Sequence, residues 1–469
     1  MKKRVLLFLL LNLFCCKIYS QQWFSLDSGL IGNGQFDHVN AFCADTVHNI
    51  LWAGGSFQTT FNGDSLNSLG YWNGIQWLPF VNIVNGDTFL GFKDGIINDL
   101  IIYDGKLVIA KEWFPNGNSF YNVVSVNSDN NNVMGLGKFN GSIHTLCIYH
   151  DTLYAGGEFT TYTNFYFPFN SNNVSRIATW NGTDFTPVGS GIGVGGIVYD
   201  LCVYNDKLIA AGYFEGAGGN YCKNIAAWDG TAWSAIGNGI GQAGTYDVIV
   251  HSAESYHNKL FVGGDFDLSS TQVGQGLIYW DGINWNNAGG DFGDVRTIKV
   301  FNDKLYAGPC NFILPVNEIS YYDDSVWHSM GYGPSDDVLA IEDYSGSIYA
   351  GGKFLNIQNP LIYTGYVARF EPAIDTTGIE INESNENEIS VYPNPSNETI
   401  FIHYNLQNNS IVTISVFDLY GTEKIKKEIS TQQSGTQTEI VSLKELPQGI
   451  YFIRVLSNEF SNSVKIVKK

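Results

Sequence analysis

The chain has 469 residues and a formal net charge of −20, with 15% charged residues, 14% aromatic residues and 52 glycines. A single ordinary core does not hold so many residues, so at least two domains are expected. The glycine and aromatic content favours a turn-rich all-β protein, because helices need Ala, Leu, Glu and Lys on their exposed faces. The excess of acidic residues repels nucleic acid and anionic membrane surfaces, which excludes nucleic acid as a partner.

Residues 1–20 have the pattern of a secretory signal peptide. A basic start at residues 2–4 is followed by an apolar run over residues 5–14 and by Ser20, a small residue at the expected cleavage site. The apolar run is about half as long as a membrane-spanning helix must be. Cys15 and Cys16 leave lipoprotein processing as an alternative, although the residues before them are not small. We expect export through the Sec translocon, loss of residues 1–20 and no transmembrane anchor.

Between residues 51 and 354 one pattern occurs seven times: an apolar run, a Gly-Gly pair or its replacement, one variable residue and an aromatic residue. A W-[DN]-G-x-x-W turn usually follows, as at residues 228–233 and 280–285. A repeat of roughly 40–55 residues with only strand signals indicates a closed array of small sheets, a β-propeller. The glycine positions start at Gly54, Lys111, Gly156, Ala211, Gly263, Gly308 and Gly351.

The seventh repeat lacks an outer strand, because Glu371 and Pro372 end it. Residues 23–30 match residues 233–240, an outer strand of the fourth repeat, in the placement of Trp, aliphatic residues and Gly. The N-terminal strand is therefore expected to pair into the last sheet and to close a seven-bladed propeller over residues 21–372. Nine of the 11 tryptophans stand beside the repeated turns, which predicts packing between neighbouring blades rather than a sugar-binding stripe.

The repeat resembles that of kelch-type propellers, which carry a double glycine after the second strand and a pair of aromatic residues further on. Gly156-Gly157 and Gly263-Gly264 match the glycines, and Trp228 with Trp233 matches the aromatic pair. The resemblance implies the fold and suggests ligand binding. The second repeat departs from it: Lys111 and Glu112 replace the glycines in front of Trp113, which makes Lys111, Glu112 and Trp113 candidate ligand-binding residues.

No metalloprotease, P-loop, nucleophile-elbow or C-x-x-C motif occurs, and no cofactor is expected. Asp229 and Asp281 in the W-D-G turns, and more loosely Asp129, could bind Ca²⁺ with loop carbonyls, although hairpin turns account for the first two. A polysaccharide hydrolase or lyase stays the alternative to a non-catalytic binding protein, with Glu254 and His257 in the insertion over residues 245–258 as its candidates. The five cysteines after residue 20 are expected to be free thiols.

The composition changes at residue 371, and residues 373–388 form a polar, acidic linker before strands return from residue 389. Alternating apolar residues over residues 389–469 suit a small immunoglobulin-like β-sandwich. The segment resembles the type A C-terminal sorting domain of the type IX secretion system of Bacteroidota. The motif residues that carry this resemblance include Tyr392, Pro393, Asn394, Pro395, Asp418, Gly421, Gly449 and Tyr451.

The resemblance implies transport through the periplasm and across the outer membrane by the type IX secretion machinery. The protein is therefore expected to be secreted or held on the outer cell surface, where it would bind an extracellular glycan or protein.

Overall fold

The computed structural model describes residues 22–371 and 390–469, except residues 28, 33–36, 61–62, 85–86, 91, 93–94, 114–120, 164–170, 242–247, 269–272, 290–291, 311–318, 332, 358–360, 397, 407, 419–422 and 458–460. All regular elements of these residues are β-strands, which confirms the all-β prediction. The chain divides into two compact units, Met1–Ile374 and Asp375–Lys469. The predicted signal peptide and linker lie outside the described residues. No helix in the described part is long and apolar enough to cross a membrane.

The first unit contains seven antiparallel sheets, numbered 1 to 7 in chain order, each built around four strands. The inner strands are Val39–Asp45, Ile97–Tyr103, Ile143–Tyr149, Ile197–Tyr204, Ile249–Tyr256, Asp294–Phe301 and Val338–Tyr344. The second strands are Ile50–Gly55, Lys106–Lys111, Thr152–Gly157, Lys207–Tyr213, Lys259–Asp267, Lys304–Cys310 and Ser347–Gly352. The third strands are Leu69–Trp72, Val123–Asn127, Ile177–Trp180, Ile225–Trp228, Gln275–Trp280, Ser320–Tyr322 and Val367–Glu371. The outer strands are Trp77–Pro79, Asn132–Phe139, Phe185–Pro187, Trp233–Ala235, Trp285–Asn287, Trp327–Ser329 and, in sheet 7, Gln22–Phe24.

Short strands extend these sheets. In sheet 2, Thr161–Thr163 and Ser171–Asn173 are added beyond the outer strand. The described two-stranded ribbons are Leu30–Ile31 with Thr59–Thr60, Val81–Val84 with Asp87–Leu90, Gly216–Ala217 with Asn220–Tyr221, and Asn356–Ile357 with Ile362–Tyr363.

The inner strands contact one another in a cyclic order. Each lies beside the inner strands of the sheets before and after it, and the inner strand of sheet 7 lies beside that of sheet 1. Tyrosine hydroxyls near the ends of inner strands donate to a backbone carbonyl in the first turn of the next sheet. These bonds join Tyr149 to Asp206, Tyr204 to Asn258 and Tyr256 to Asp303 at 3.0 Å, and Tyr344 of sheet 7 to Asn49 of sheet 1 at 2.7 Å. The arrangement is propeller-like.

The strand register explains the paired glycines of the repeat. A Cβ on the first glycine would press on a β-branched side chain of the next sheet: at Gly156 it would lie 2.7 Å from Val198, and at Gly351 2.6 Å from Val39. A Cβ on the second glycine would meet the backbone of the inner strand, as at Gly157, where it would lie 2.1 Å from a carbonyl oxygen. Real Cβ atoms do not approach so closely, so these glycines cannot be replaced by a residue with a side chain unless the neighbouring atoms shift.

The predicted replacement of the glycine pair by Lys111 and Glu112 is wrong by one residue. Ala110 lies opposite Asp99, the position that the first glycine takes in other sheets, so Ala110 and Lys111 occupy the two glycine positions. The pattern was ambiguous in sequence because two aromatic residues, at 113 and 114, follow one another. Only Trp113 stands three residues after the first glycine position, here Ala110, as the aromatic residue does in other sheets.

The N-terminal strand completes sheet 7, which confirms the predicted pairing. Gln22–Phe24 runs antiparallel to Val367–Glu371. Trp23 packs in the core between sheets 6 and 7, whereas Leu26 and Leu30 pack in the core between sheets 7 and 1. The N-terminal segment therefore fills both boundaries of sheet 7.

A repeated hydrogen bond shows that Trp23 is equivalent to the tryptophans of other outer strands. In each case the indole N–H donates to the backbone carbonyl just beyond the outer strand of the preceding sheet. The bonds run from Trp23 to Met330 at 3.2 Å, from Trp233 to Val188 at 3.0 Å and from Trp327 to Ala288 at 2.9 Å. The match between residues 23–30 and 233–240 thus has a structural basis.

The described part of the second unit consists of two antiparallel sheets. One has the order Ser390–Tyr392, Thr399–Leu406, Gly435–Ser442, and the other Glu423–Gln432, Ser410–Phe417, Gly449–Leu456, Ser461–Lys468. Alternate residues of both sheets, among them Ile402, Ile414 and Ile453, form one hydrophobic core. The return of strands after residue 389 was predicted from the sequence, and the first of them is Ser390–Tyr392.

Candidate ligand-binding cavity

Every inner strand carries a β-bulge near its start, at an equivalent position in all seven sheets. The pairing of inner and second strands skips one residue there. A bulge leaves its extra residue unpaired in the ladder and re-aims the side chain. The bulge residues of sheets 1 to 7 are Asn40, Asn98, His144, Tyr199, His251, Arg296 and Leu339.

All seven bulge residues line one cavity of ≈ 560 Å³, whose other lining residues also belong to the inner strands. This volume lies within the range of about 300–1,000 Å³ that is common for ligand pockets. The residue before each bulge is always Val or Ile, and the second residue after it is always apolar. The bulge residues instead comprise two amides, two imidazoles, a phenol, a guanidinium and one leucine. Packing fixes the flanking positions but leaves the bulge positions free to differ.

Sheets 3 to 6 place three aromatic rings and a guanidinium side by side. The ring centroids of His144 and Tyr199 are 5.3 Å apart with a tilt of 37°, and those of Tyr199 and His251 are 5.3 Å apart with a tilt of 55°. Arg296 donates from Nη1 to Nε2 of His251 at 2.7 Å and pairs through Nη2 with Asp294 Oδ2 at 2.6 Å. We call His144, Tyr199, His251 and Arg296 the aromatic arc.

Both imidazoles of the aromatic arc are neutral near pH 7. Burial lowers the pKa of His144. Burial and the positive charge of Arg296 lower the pKa of His251 to about 3. A guanidinium can only donate, so Nε2 of His251 accepts and the ring proton resides on Nδ1. Burial also raises the pKa of Tyr199, whose phenol therefore keeps its proton.

Arg296 and Asp294 carry buried polar atoms that are not satisfied by the described residues. Arg296 Nε and Asp294 Oδ1 are enclosed and have no hydrogen-bond partner within this part of the chain. Burial raises the pKa of Asp294 to about 6, against the effect of Arg296. Unsatisfied buried polar atoms are uncommon in folded proteins, and these two belong to the ion pair that adjoins the cavity.

The amides on the opposite side of the cavity join neighbouring sheets. Asn40 Nδ2 donates to the carbonyl of Ile97 at 3.0 Å, and Asn98 Nδ2 donates to the carbonyl of Ile143 at 2.9 Å. These amide donors are used within the fold. The polar side chains that are more available to a ligand are therefore those of the aromatic arc.

One residue beyond the bulge, two aspartates also join neighbouring sheets. Asp99 Oδ2 accepts the N–H of Leu146 at 2.6 Å, and Asp200 Oδ2 accepts the N–H of Ala253 at 2.8 Å. Burial raises the pKa of Asp99 to about 6 and raises that of Asp200 as well, although Lys299 opposes both shifts.

Three residues beyond the bulge, sheets 5, 6 and 7 carry Glu254, Lys299 and Glu342, of which Lys299 and Glu342 line the cavity. The side chain of Lys299 is exposed to the cavity, and within the described residues its ammonium makes no direct hydrogen bond or ion pair. Burial lowers the pKa of Lys299, but the nearby carboxylates, Glu254 foremost, outweigh this effect and raise it. Burial raises the pKa of Glu342 to about 7. Four carboxyl groups thus accompany one ammonium, and this end of the cavity is acidic.

The residues that the sequence singled out as ligand candidates lie outside the cavity lining, near the boundary of sheets 2 and 3. The Lys111 side chain is 4% exposed, and its ammonium lies 5.0 Å from the centroid of the Phe92 ring. Trp113 is half-buried, and its backbone N–H donates to Ser142 Oγ at 3.1 Å. Burial, with a smaller effect of Glu158, raises the pKa of Glu112. A ligand contact for these three residues stays a prediction.

The expectation that Glu254 and His257 share a loop insertion is wrong. Glu254 belongs to the inner strand Ile249–Tyr256, where its charge acts on Lys299, whereas His257 begins the following turn. There its Nε2 lies 2.7 Å from Asp303 Oδ1 and joins sheets 5 and 6. The segment resembled a loop because an inner strand that faces a polar cavity carries polar residues where strands usually carry apolar ones.

The carboxylates proposed for Ca²⁺ are used within turns. Asp229 Oδ1 accepts the N–H groups of Ala232 and Thr231, both at 2.9 Å, and these bonds lower the pKa of Asp229 to about 2. Asp281 makes the equivalent pair of bonds. Asp129 lies 3.1 Å from an imidazole nitrogen of His48. Within the described residues, no group of three or more His, Cys, Asp or Glu side chains is arranged to hold a metal ion.

The four described cysteines, Cys43, Cys147, Cys202 and Cys222, are buried free thiols. The first three stand three residues after the bulges of sheets 1, 3 and 4. Burial raises the pKa of Cys147 to about 12 and raises that of the others, so all four thiols stay protonated. The side chain of the fifth predicted thiol, Cys310, lies outside the described part.

In the second unit, the predicted motifs from the two ends of the segment meet. Asn394 donates from Nδ2 to the carbonyl of Lys465 at 2.8 Å, and its Oδ1 accepts the N–H of Val467 at 3.0 Å. The side chain of Tyr392 is 48% exposed and its ring stacks on Phe401. The motif at the start of the segment, residues 392–395, is thereby fixed to the last strand, Ser461–Lys468.

The remaining motif residues have separate roles. Asp418 forms an ion pair with Lys424 at 2.8 Å. Tyr451 is 5% exposed and its hydroxyl donates to the carbonyl of Pro447 at 3.0 Å. Gly449 begins the strand that pairs with the last one, and Gly421 lies outside the described residues.

The C-terminal segment matches a known family. Residues 390–469 match the Secretion system C-terminal sorting domain, so a type IX sorting tail is present. The tail implies interaction with the type IX secretion machinery and export to the cell surface or secretion. No curated protein matches the sequence.

Solved structures resemble the chain weakly. PorZ, a surface component of the type IX secretion system of Porphyromonas gingivalis, is 9% identical with a TM-score of 0.28, and the match covers 92% of this chain and 81% of PorZ. An acylaminoacyl peptidase of Pyrococcus horikoshii is 9% identical with a TM-score of 0.39, over 80% of this chain and 58% of the peptidase. A glycoside hydrolase family 32 protein of Bifidobacterium adolescentis is 9% identical with a TM-score of 0.20, over 95% of both chains. Likenesses of this size carry no argument about function.

Proposed function

We propose that the chain is a non-catalytic binding protein of the cell surface or extracellular medium, which holds a glycan or protein ligand in the cavity between its inner strands. The observation that carries this proposal is the contrast between the bulge residues and their neighbours. The ring requires the uniform apolar flanks, but it gives no reason for a phenol, two imidazoles and a guanidinium on adjacent bulges. Contact with a ligand supplies that reason.

The seven sheets are proposed to be the blades of one kelch-like propeller over residues 21–372. The cyclic order of the inner strands, the tyrosine bond from sheet 7 to sheet 1 and the N-terminal outer strand support this architecture. Residues 373–388 would form a linker, and residues 389–469 an immunoglobulin-like sandwich. In this architecture the cavity is the central channel of the propeller.

The route to the outside is proposed to have two steps. Residues 1–20 would direct the chain through the Sec translocon, and the sorting tail would then direct it from the periplasm through the outer membrane, as in Bacteroidota. The sorting tail supports the second step. The propeller would then act at the cell surface or in the medium.

A polysaccharide hydrolase or lyase is the second candidate, because carboxylates and a lysine do converge in the cavity. Glu254 and Glu342 are the acid and base that such an enzyme would use. The non-catalytic proposal is favoured because Asp99 and Asp200 are bound to backbone N–H groups, and because the glutamates flank Lys299 on rigid strands. The purified chain can be assayed for the release of new reducing ends from polysaccharides. If it releases them and Glu342→Gln abolishes the release, the function is catalysis rather than binding.

The test of the binding function is a screen of the full chain against glycans and surface proteins of its host. The double variant His144→Ala/His251→Ala removes two bulge side chains, and the control Ile283→Ala changes a 78% exposed side chain at an outer turn. The double variant should weaken whichever ligand is found by about tenfold or more, as for the loss of an anchoring contact. Equal affinity of both variants would place the ligand elsewhere and refute the proposal.

A further inference from the structure

We propose that the ligand is an uncharged carbohydrate, and that one of its sugar rings lies against Tyr199 within the aromatic arc. This inference rests on the proposed function, since it names the ligand class of the same cavity. It is carried by the geometry of three neighbouring rings, by the charges that surround them and by the hydrogen-bonding capacity of the imidazoles.

The three rings of the aromatic arc are partly exposed to the cavity. Tilts of 37° and 55° between neighbouring rings mean that none of them is stacked flat on another. His144, Tyr199 and His251 are each half-buried and line the cavity. A sugar ring offers an apolar face of C–H groups, which complements the electron-rich face of an aromatic ring.

The charges around the aromatic arc disfavour ions of either sign. A ligand carboxylate or phosphate would be repelled by the negative charges of Asp294, beside Arg296, and of Glu158, whose charge acts on both His144 and Tyr199. A ligand ammonium would meet the guanidinium of Arg296, which Asp294 holds in place at 2.6 Å. An uncharged ligand avoids both repulsions, and it avoids the cost of removing an ion from water.

The imidazoles have the hydrogen-bonding capacity that hydroxyl groups require. A neutral imidazole has one donor and one acceptor, and His144 and His251 are held neutral by burial. In His251 the acceptor Nε2 is used by Arg296, which leaves the Nδ1–H as a donor of fixed position. A hydroxyl both donates and accepts, so a polyhydroxylated ligand can bind whichever group the cavity presents.

Calorimetric titration of the full chain with oligosaccharides of different charge tests this inference. The neutral probes are gluco-, manno-, xylo- and galacto-oligosaccharides, the acidic probes are oligogalacturonates and the cationic probes are chitosan oligosaccharides. Tyr199→Ala removes the ring, Tyr199→Phe keeps the ring and removes the hydroxyl, and the control Ile283→Ala changes a 78% exposed side chain at an outer turn, away from the cavity. Thermal unfolding of each variant checks that it is folded.

At least one neutral probe should bind, with an affinity about tenfold lower in Tyr199→Ala and within about threefold of the unmodified chain in the other two variants.

Failure of all neutral probes to bind at millimolar concentration overturns the inference. If an acidic or cationic probe then binds and is weakened by His144→Ala/His251→Ala, the binding function stands and only the ligand class is wrong. If a neutral probe binds equally to all variants, the cavity is not the site and both proposals fall. If Tyr199→Phe is as weak as Tyr199→Ala, the stacking role of the ring is wrong.

Discussion

The N-terminal strand provides the sharpest test of the fold, because one side chain can be compared with an equivalent one in the middle of the chain. Trp23 is 3% exposed, and Trp233, which makes the same indole hydrogen bond in sheet 4, is also 3% exposed. A buried tryptophan removes about 150–250 Å² from water, which corresponds to about 4–6 kcal/mol. Measured losses for Trp→Ala are about 3–5 kcal/mol.

Trp23→Ala and Trp233→Ala should therefore each lower the free energy of unfolding by about 3–5 kcal/mol. Denaturation by guanidinium, followed by tryptophan fluorescence, measures this quantity. All 11 tryptophans lie between residues 23 and 327, so the signal reports on the first unit alone. A loss below about 1 kcal/mol for Trp23→Ala, beside a loss of several for Trp233→Ala, would refute the role of the N-terminal strand in closing the ring.

Deletion of residues 21–31 extends the same argument. The deletion also removes Leu26 and Leu30, which are 1% and 0% exposed and belong to the core between sheets 7 and 1. Each leucine adds about 1.5–3 kcal/mol to the burial term, so the total reaches about 7–12 kcal/mol. This is comparable to the whole stability of a typical domain, about 5–15 kcal/mol, and the truncated first unit should not reach its native fold. An unchanged melting temperature would show that the ring closes in another way.

Three further predictions concern the tail, the thiols and the cavity. Removal of residues 390–469 should leave the first unit in the periplasm of the native host, and recovery of the truncated chain outside the cells would contradict the sorting role. Maleimide labelling of the secreted chain under denaturing, non-reducing conditions should modify five thiols, whereas three or one would reveal disulfides. Burial raises the pKa of Glu342 to about 7, so the folded chain binds more protons than the unfolded chain between about pH 4.5 and 7, and this group makes stability fall as the pH rises. Between about pH 5 and 8, the free energy of unfolding should fall less in Glu342→Gln than in the unmodified chain, as measured by fluorescence-detected denaturation. An equal fall in both would contradict the raised pKa of Glu342.

The positions that could be predicted from the sequence are those that every sheet repeats for packing. The first glycine of each pair is needed because a β-branched residue of the next sheet, such as Val198 over Gly156, occupies the space of a Cβ. The indole of Trp23 binds the preceding sheet as those of Trp233 and Trp327 do, and this shared position made Trp23 recognisable far from its partners. A packing requirement that recurs in every sheet produces a similar residue in every repeat, and such a pattern can be recognised from the sequence alone.

The cavity could not be predicted because its residues do not repeat. The bulge shifts one residue out of the two-residue period of a strand, so neither Tyr199 nor His251 follows an amphipathic pattern. Polar residues on an inner strand, such as Glu254, resembled a loop for the same reason. Trp113 was selected as a candidate because its repeat lost the glycines. It lies outside the cavity lining, and a ligand contact for it stays a prediction.

The bulges also separate the stability of the ring from the chemistry of the cavity. Val198, immediately before a bulge, is fully buried and packs on Gly156 of the neighbouring sheet, so its size is fixed by that contact. Tyr199, the next residue, is skipped by the strand pairing and touches mainly the side chains of other bulges. A substitution at position 199 can therefore change the chemistry of the cavity lining while the contact of Val198 with Gly156 is kept. Neighbouring sheets can carry His, Tyr and Arg at one geometric position because the bulge leaves that residue out of the strand pairing, so a ring of similar sheets can present different side chains to one cavity.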